Sequence, residues 1–262
     1  MNLKIKLFTF FIASMVLLGA CKKDVDETTN PVVDTEIVPT GNLTFHLHTY
    51  IEDNEVDAYG IEYTTAEGRI ISLDIAQMYI SDIQLVKLDG SIYTVPNKSI
   101  LKVFETASLV IGDVPVGNDK SIRFKVGLNS TMNALDPTST GDSIILNKPS
   151  MWFSTPVQPD GYVFMNVQGS IDTTVAMNGI PVPFSYKIGT NANYFQVEMP
   201  EQNFTVLENM TAYAHMIADY SKLFTGIQLN DFNNLSVNTV GDNSLPIATA
   251  IKNNIPLLFR YE

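Results

Sequence analysis

From residue 42 onward, apolar and polar positions alternate with a period of two along much of the chain. In Leu43-Thr44-Phe45-His46-Leu47-His48 the apolar side chains take one face of an extended backbone and the polar ones take the other. The same rhythm predicts strands at residues 58–63, 78–88, 122–128, 162–167, 184–188, 194–199 and 211–216. Turn signals separate them: Ala66-Glu67-Gly68, Asp89-Gly90, Pro115-Val116-Gly117 and Met177-Asn178-Gly179. Asp89-Gly90 between two apolar runs predicts a hairpin. Many short strands spaced in this way predict an all-β fold, an antiparallel β-sandwich. Two stretches leave the pattern. Residues 219–224 before Gly226 read as a short helix, and Ser244-Leu245-Pro246 opens a second one with Ile247, Ile251 and Ile255 at a spacing of four. Short C-terminal helices are therefore added to the sandwich, in one domain over residues 42–262.

The start of the chain reads differently. Lys4 and Lys6 precede an apolar run, residues 7–18, that is too short to span a bilayer stably. Residues 1–20 have the form of a secretory signal ending in Leu18-Gly19-Ala20-Cys21, which resembles the bacterial lipobox. Cys21 is the single cysteine. It is the expected lipidation site rather than a buried thiol, and no disulfide can form within the chain. Residues 21–41 hold no aromatic side chain and many Thr, Asp and Glu, the composition of a flexible tether. Lys4 and Lys6 are the only charged residues among the first 20, so without them 14 basic residues face 28 acidic ones, a net −14. That surface repels nucleic acid and anionic headgroups. The expected place is the bacterial cell envelope, at the outer membrane facing either the periplasm or the outside, with the lipid as the membrane contact.

Candidate chemistry is sparse. The chain has three histidines, and two of them, His46 and His48, share one strand face. Neutral imidazoles suit copper and zinc, so the pair is either half of a metal site or a solvated polar face. His215, in Ala214-His215-Met216, stands alone in sequence and reads as a ligand or as a half-buried strand histidine. The single tryptophan, Trp152, is an anchor of the core or its rim, with Met151 and Met165 nearby as gap-fillers or soft thioether donors. No Gly-x-Ser-x-Gly, no phosphate-cradling glycine loop and no distinct carboxylate pair is present, so an enzyme is not expected.

Taken in order, the tracts MYISDIQLVKLDG (78–90), DVPVGNDKSIRFKVGLN (113–129), MWFSTPVQPDGYVFMNVQGS (151–170), YKIGT (186–190), DYSKLFTG (219–226) and IKNNIPLLF (251–259) resemble the MbnP-like family. The resemblance covers nearly all of residues 42–262 and is most specific around Met151-Trp152 and Gly161-Tyr162-Val163-Phe164-Met165. It implies a periplasmic or surface β-sandwich that binds copper. In the family's best-known members a tryptophan is oxidised to kynurenine by a dihaem partner related to cytochrome c peroxidases, and the new amine joins histidines on Cu(I). Carried onto this chain, Trp152 matches the tryptophan and the first-strand histidine falls at His46 or His48, so the implied copper site is drawn from His46, His48 and Trp152, with His215 as a further candidate. One departure stands out: Lys187-Ile188-Gly189 occupies the place where the family often has His-Ile-Gly or His-Leu-Gly. If that histidine is a ligand in relatives, this chain lacks it, and His48 or His215 is left to replace it. The competing expectation is a metal-free surface module of the same fold that binds a protein or a glycan.

Overall fold

The computed structural model describes residues 38–105, 107–137, 145–154, 160–240 and 246–262. The leader, Cys21 and nearly all of the predicted tether lie outside the described residues, as do Ser244 and Leu245. Strand β1 (Thr40–Ile51) is followed by β2 (Asn54–Glu55), β3 (Tyr63–Thr64), β4 (Ile70–Lys87), β5 (Ile92–Thr94) and β6 (Ser99–Lys102). Next come β7 (Ala107–Pro115), β8 (Gly117–Val126), a helical turn α1 (Ser130–Asn133), β9 (Val163–Ile171) and β10 (Val182–Gly189). The described chain continues with β11 (Phe195–Glu198), β12 (Phe204–Val206), β13 (Thr211–Asp219), β14 (Ser236–Asn238), α2 (Pro246–Asn254) and β15 (Phe259–Tyr261).

The strands form two sheets. The smaller runs β15-β13-β1-β2, with β7 also paired to β1. The larger runs β11-β8-β4-β9-β10-β14, with β3, β5 and β6 on β4 and β12 on β8. The expected all-β sandwich is present, but its strands are not wholly antiparallel. β13 joins β1 in parallel, and β14 joins β10 in parallel. In each pair the later strand follows a long connection and arrives from the same end as its neighbour, which a tight hairpin cannot do.

Between the sheets lies the main core. β1 contributes Leu43, Phe45 and Leu47, β4 contributes Met78 and Ile80, and β9 contributes Met165 and Val167. Ile247 and Ile251 of α2 close one side, as their spacing of four predicts. A second, smaller core gathers Tyr79, Leu101, Leu128, Leu146, Met151, Trp152, Tyr162 and Phe164. Tyr79 and Phe164 each neighbour a residue of the main core in sequence (Met78, Met165), so they leave the large sheet by its other face. The second core is therefore on the outside of that sheet. Where β4 and β9 cross near a register shift, their backbones come so close that a Cβ on Gly169 would sit 1.9 Å from the Ser72 carbonyl oxygen.

Local readings fare unevenly. The Asp89-Gly90 turn forms as predicted: Gly90 adopts φ +88°, Val86 pairs with Ile92, and the Asp89 carboxylate accepts from the Ser91 N–H and hydroxyl. The helix read at 219–224 is a 3₁₀ turn, Tyr220–Phe224, capped by the Asp219 side chain, with Gly226 at φ +73° just after it. Residues 58–63 alternate in sequence yet form a bend, a turn and irregular chain, with only Tyr63 in a strand. There Gly60 takes a left-handed φ of +72° and the Tyr59 ring stacks on Phe104 at 3.8 Å.

Candidate metal centre

Strand geometry builds the site. Leu43, Phe45 and Leu47 of β1 face the main core, so His46 and His48 leave the small sheet by its outer face. β13 repeats this: Ala214 and Met216 face the core, and His215 points the other way. The parallel register sets His46 directly beside His215. One ring nitrogen from each of the three histidines then lies within 4.8 Å of the others. His46 Nδ1 and His215 Nδ1 are 3.3 Å apart, and the His46 ring centroid is 4.6 Å from that of His48. Donors held tetrahedrally at about 2.0–2.1 Å from one ion stand roughly 3.3 Å apart, so the pair of Nδ1 atoms already has the bite a metal requires.

His48 is oriented from behind. Its Nδ1–H donates to Glu55 Oε1 at 2.6 Å, because a carboxylate can only accept. In the neutral ring that leaves Nε2 as the nitrogen with the lone pair. That atom is buried with no hydrogen-bond partner. Glu55 is placed by the turn through Glu52, at φ +53°, which pairs Tyr50 with Glu55 across β1 and β2. A carboxylate behind a histidine whose other nitrogen is free is the usual second tier of a metal site.

Burial, and after it the neighbouring imidazoles of His48 and His215, push His46 below the ordinary histidine pKa, against the opposing pull of Glu262 and Glu55. His46 is thus held in its neutral, ligating form at pH 7. Glu262, just beyond β15, brings Oε2 to 3.4 Å from His215 Nδ1 and 3.7 Å from His48 Nε2. Beside His215 a cleft of about 90 Å³ opens between Phe204, Tyr213, Tyr261 and Glu262. Three imidazoles with a supporting carboxylate fit copper or zinc.

Trp152 does not join the histidines, contrary to the expectation that all four residues share one site. It packs in the second core, on the outside of the large sheet, whereas the histidines are on the outside of the small sheet. Its indole N–H donates to the Leu146 carbonyl at 2.9 Å, and its backbone bridges to Tyr162. The hydrophobic pull of Tyr79, Tyr162 and Phe164 fixes it there. Met151 and Met165 are fully buried and lie on opposite faces of the large sheet, so they offer no joint thioether pair. Lys187 lies in β10 of the large sheet, paired with Asn166 and Asn238, and subtracts nothing from the three histidines of the other sheet. Glu55 and Glu262 were not singled out in the sequence. Glu55 sits seven residues after His48 across a tight turn, a hairpin register that sequence alone carries faintly; Glu262 has no local signal.

The family model for MbnP matches residues 40–240. The chain belongs to the MbnP family. The MbnP match spans His46, His48 and His215 and stops before Glu262. The solved structure of MbnP from Methylosinus trichosporium is similar in fold, with a TM-score of 0.56 at 13% identity, covering 82% of this chain and 88% of that one. A comparison with curated proteins found no match.

Proposed function

We propose that this MbnP-family chain is an envelope-anchored lipoprotein that captures or delivers copper, without catalysis, through His46, His48 and His215. One observation carries the reading. His48 has Nδ1 locked by Glu55 while Nε2 is buried without a hydrogen bond, and one ring nitrogen from each of the three histidines lies within 4.8 Å of the others. An unsatisfied buried polar atom costs about 1–3 kcal/mol, and an ion at this position removes that cost. The family membership and the lipobox-like Leu18-Gly19-Ala20-Cys21 support the setting. This reading gives Trp152 no part in the site, so it requires no dihaem partner to prepare a ligand.

The test is titration of the purified protein, without residues 1–20, with Cu(I) under reducing conditions and with Cu(II) in air. About one ion per chain is expected, and His48→Ala is expected to weaken binding at least about tenfold. Failure of the unaltered protein to bind either ion overturns the reading and leaves the metal-free module in its place.

A further inference from the structure

We propose that Glu262 is a fourth donor, and that its carboxylate makes the centre selective for divalent over monovalent copper. The proposal rests on the copper reading above and adds to it a residue and an oxidation state.

Glu262 is placed by the sheet and not by chance. β15 pairs antiparallel with β13, setting Tyr261 opposite Met216. The Glu262 backbone N–H then donates to the His215 carbonyl at 3.2 Å, continuing that ladder by one step. Phe259 and Tyr261 turn toward the main core, so Glu262 alternates to the outer face that carries the histidines. Its Oε2 stands 3.4 Å from His215 Nδ1 and 3.7 Å from the buried Nε2 of His48, which makes no hydrogen bond. Those separations are close to the roughly 3.3 Å between tetrahedrally held donors; neighbouring donors of a tetragonal Cu(II) ion stand nearer, at roughly 2.8 Å. The Glu262 side chain keeps 47% of its exposure, so it has room to close the remaining distance.

Donor chemistry then selects the ion. Cu(I) is soft and favours thiolate and thioether sulfur, whereas carboxylate oxygen favours harder, more highly charged ions. Met216, the methionine next to His215, faces the core with no exposure. What meets the three imidazoles on the outer face is carboxylate. Neutral imidazoles leave the charge of an ion uncompensated; Glu262 in contact and Glu55 behind His48 supply two negative charges to it. The Arg260 guanidinium on the same face lies over the Tyr50 ring, 5.6 Å from its centroid.

The experiment compares the unaltered protein with Glu262→Gln and Glu55→Gln by competitive titration in both copper states, with electron paramagnetic resonance of the Cu(II) forms and circular dichroism to confirm folding. Glu262→Gln is expected to weaken Cu(II) at least about tenfold, to alter the Cu(II) hyperfine pattern, and to leave Cu(I) affinity within about twofold. Glu55→Gln, which changes the carboxylate behind His48 Nδ1, is expected to weaken both states alike. The proposal is overturned if Glu262→Gln keeps Cu(II) affinity and spectrum, or loses both copper states equally as Glu55→Gln does. It is also overturned if the unaltered protein holds Cu(I) but not Cu(II), an outcome that leaves the copper reading standing. If the unaltered protein binds neither, both fall together.

Discussion

The two nitrogens of His48 are committed to different tasks, and that division makes the residue informative where a lone histidine is not. Nδ1 is spent on Glu55, while Nε2 is buried and unsatisfied. Trp152 is the opposite case: its one polar atom is satisfied by Leu146, and its ring is closed in by Tyr79, Tyr162 and Phe164. Trp152→Phe is therefore expected to leave copper stoichiometry and affinity unchanged while costing about 1–3 kcal/mol of stability, from the lost hydrogen bond and the smaller ring. Copper titration alongside urea denaturation checks both halves; loss of copper binding in that variant would contradict the placement of the site. Sequence alone marked Trp152 because it is unique, but uniqueness says nothing of which face of a sheet a side chain takes.

Among the elements, the β9–β10 connection shows how a strand end is fastened. Asp172 is buried and accepts from the Thr174 N–H and hydroxyl at 2.8 Å each and from the Gly179 N–H at 2.9 Å, while Arg69 ties the same segment through the Asp172 and Thr174 carbonyls. The Thr174 N–H, with the Thr174 hydroxyl and the Gly179 N–H in support and against the effect of burial, holds the Asp172 carboxyl below the usual carboxylate range. A folded pKa below the unfolded one gives stability that is full above the unfolded value, about 3.9, and is lost as pH falls through the lower folded value. The urea midpoint is thus expected to fall below about pH 4, and Asp172→Asn is expected to lower the midpoint at pH 7 while flattening that acid slope. An unchanged slope would show that the carboxylate is not the group responsible. Elements of this kind were partly legible beforehand. Alternation located β1, β8, β10 and β13, and Asp-Gly located the hairpin, because both signals are local. Residues 58–63 failed because a left-handed glycine and a stacked Tyr59 outweigh a short alternating run.

At the scale of the whole molecule, what sequence reading lacks is pairing between distant strands. Two histidines on one face of β1 were visible; the third, brought beside them by the parallel β1–β13 pairing, lies 169 residues from His46 and gave no sign of it. Net charge belongs to this scale too. With 14 basic against 28 acidic residues after residue 20, that part of the chain has no electrostatic reason to rest on an anionic bilayer. Cys21→Ala is accordingly expected to move the protein from the membrane fraction to the soluble one on cell fractionation, and retention on the membrane would show a second anchor.

The same 169-residue separation governs when the centre can exist. His46 and His48 are made well before His215 and Glu262. Pairing strands so far apart is slow, because the loop between them must close first. On the copper reading proposed above, a chain still being made carries only two of the proposed donors, and it becomes competent for an ion only after β13 and β15 have docked.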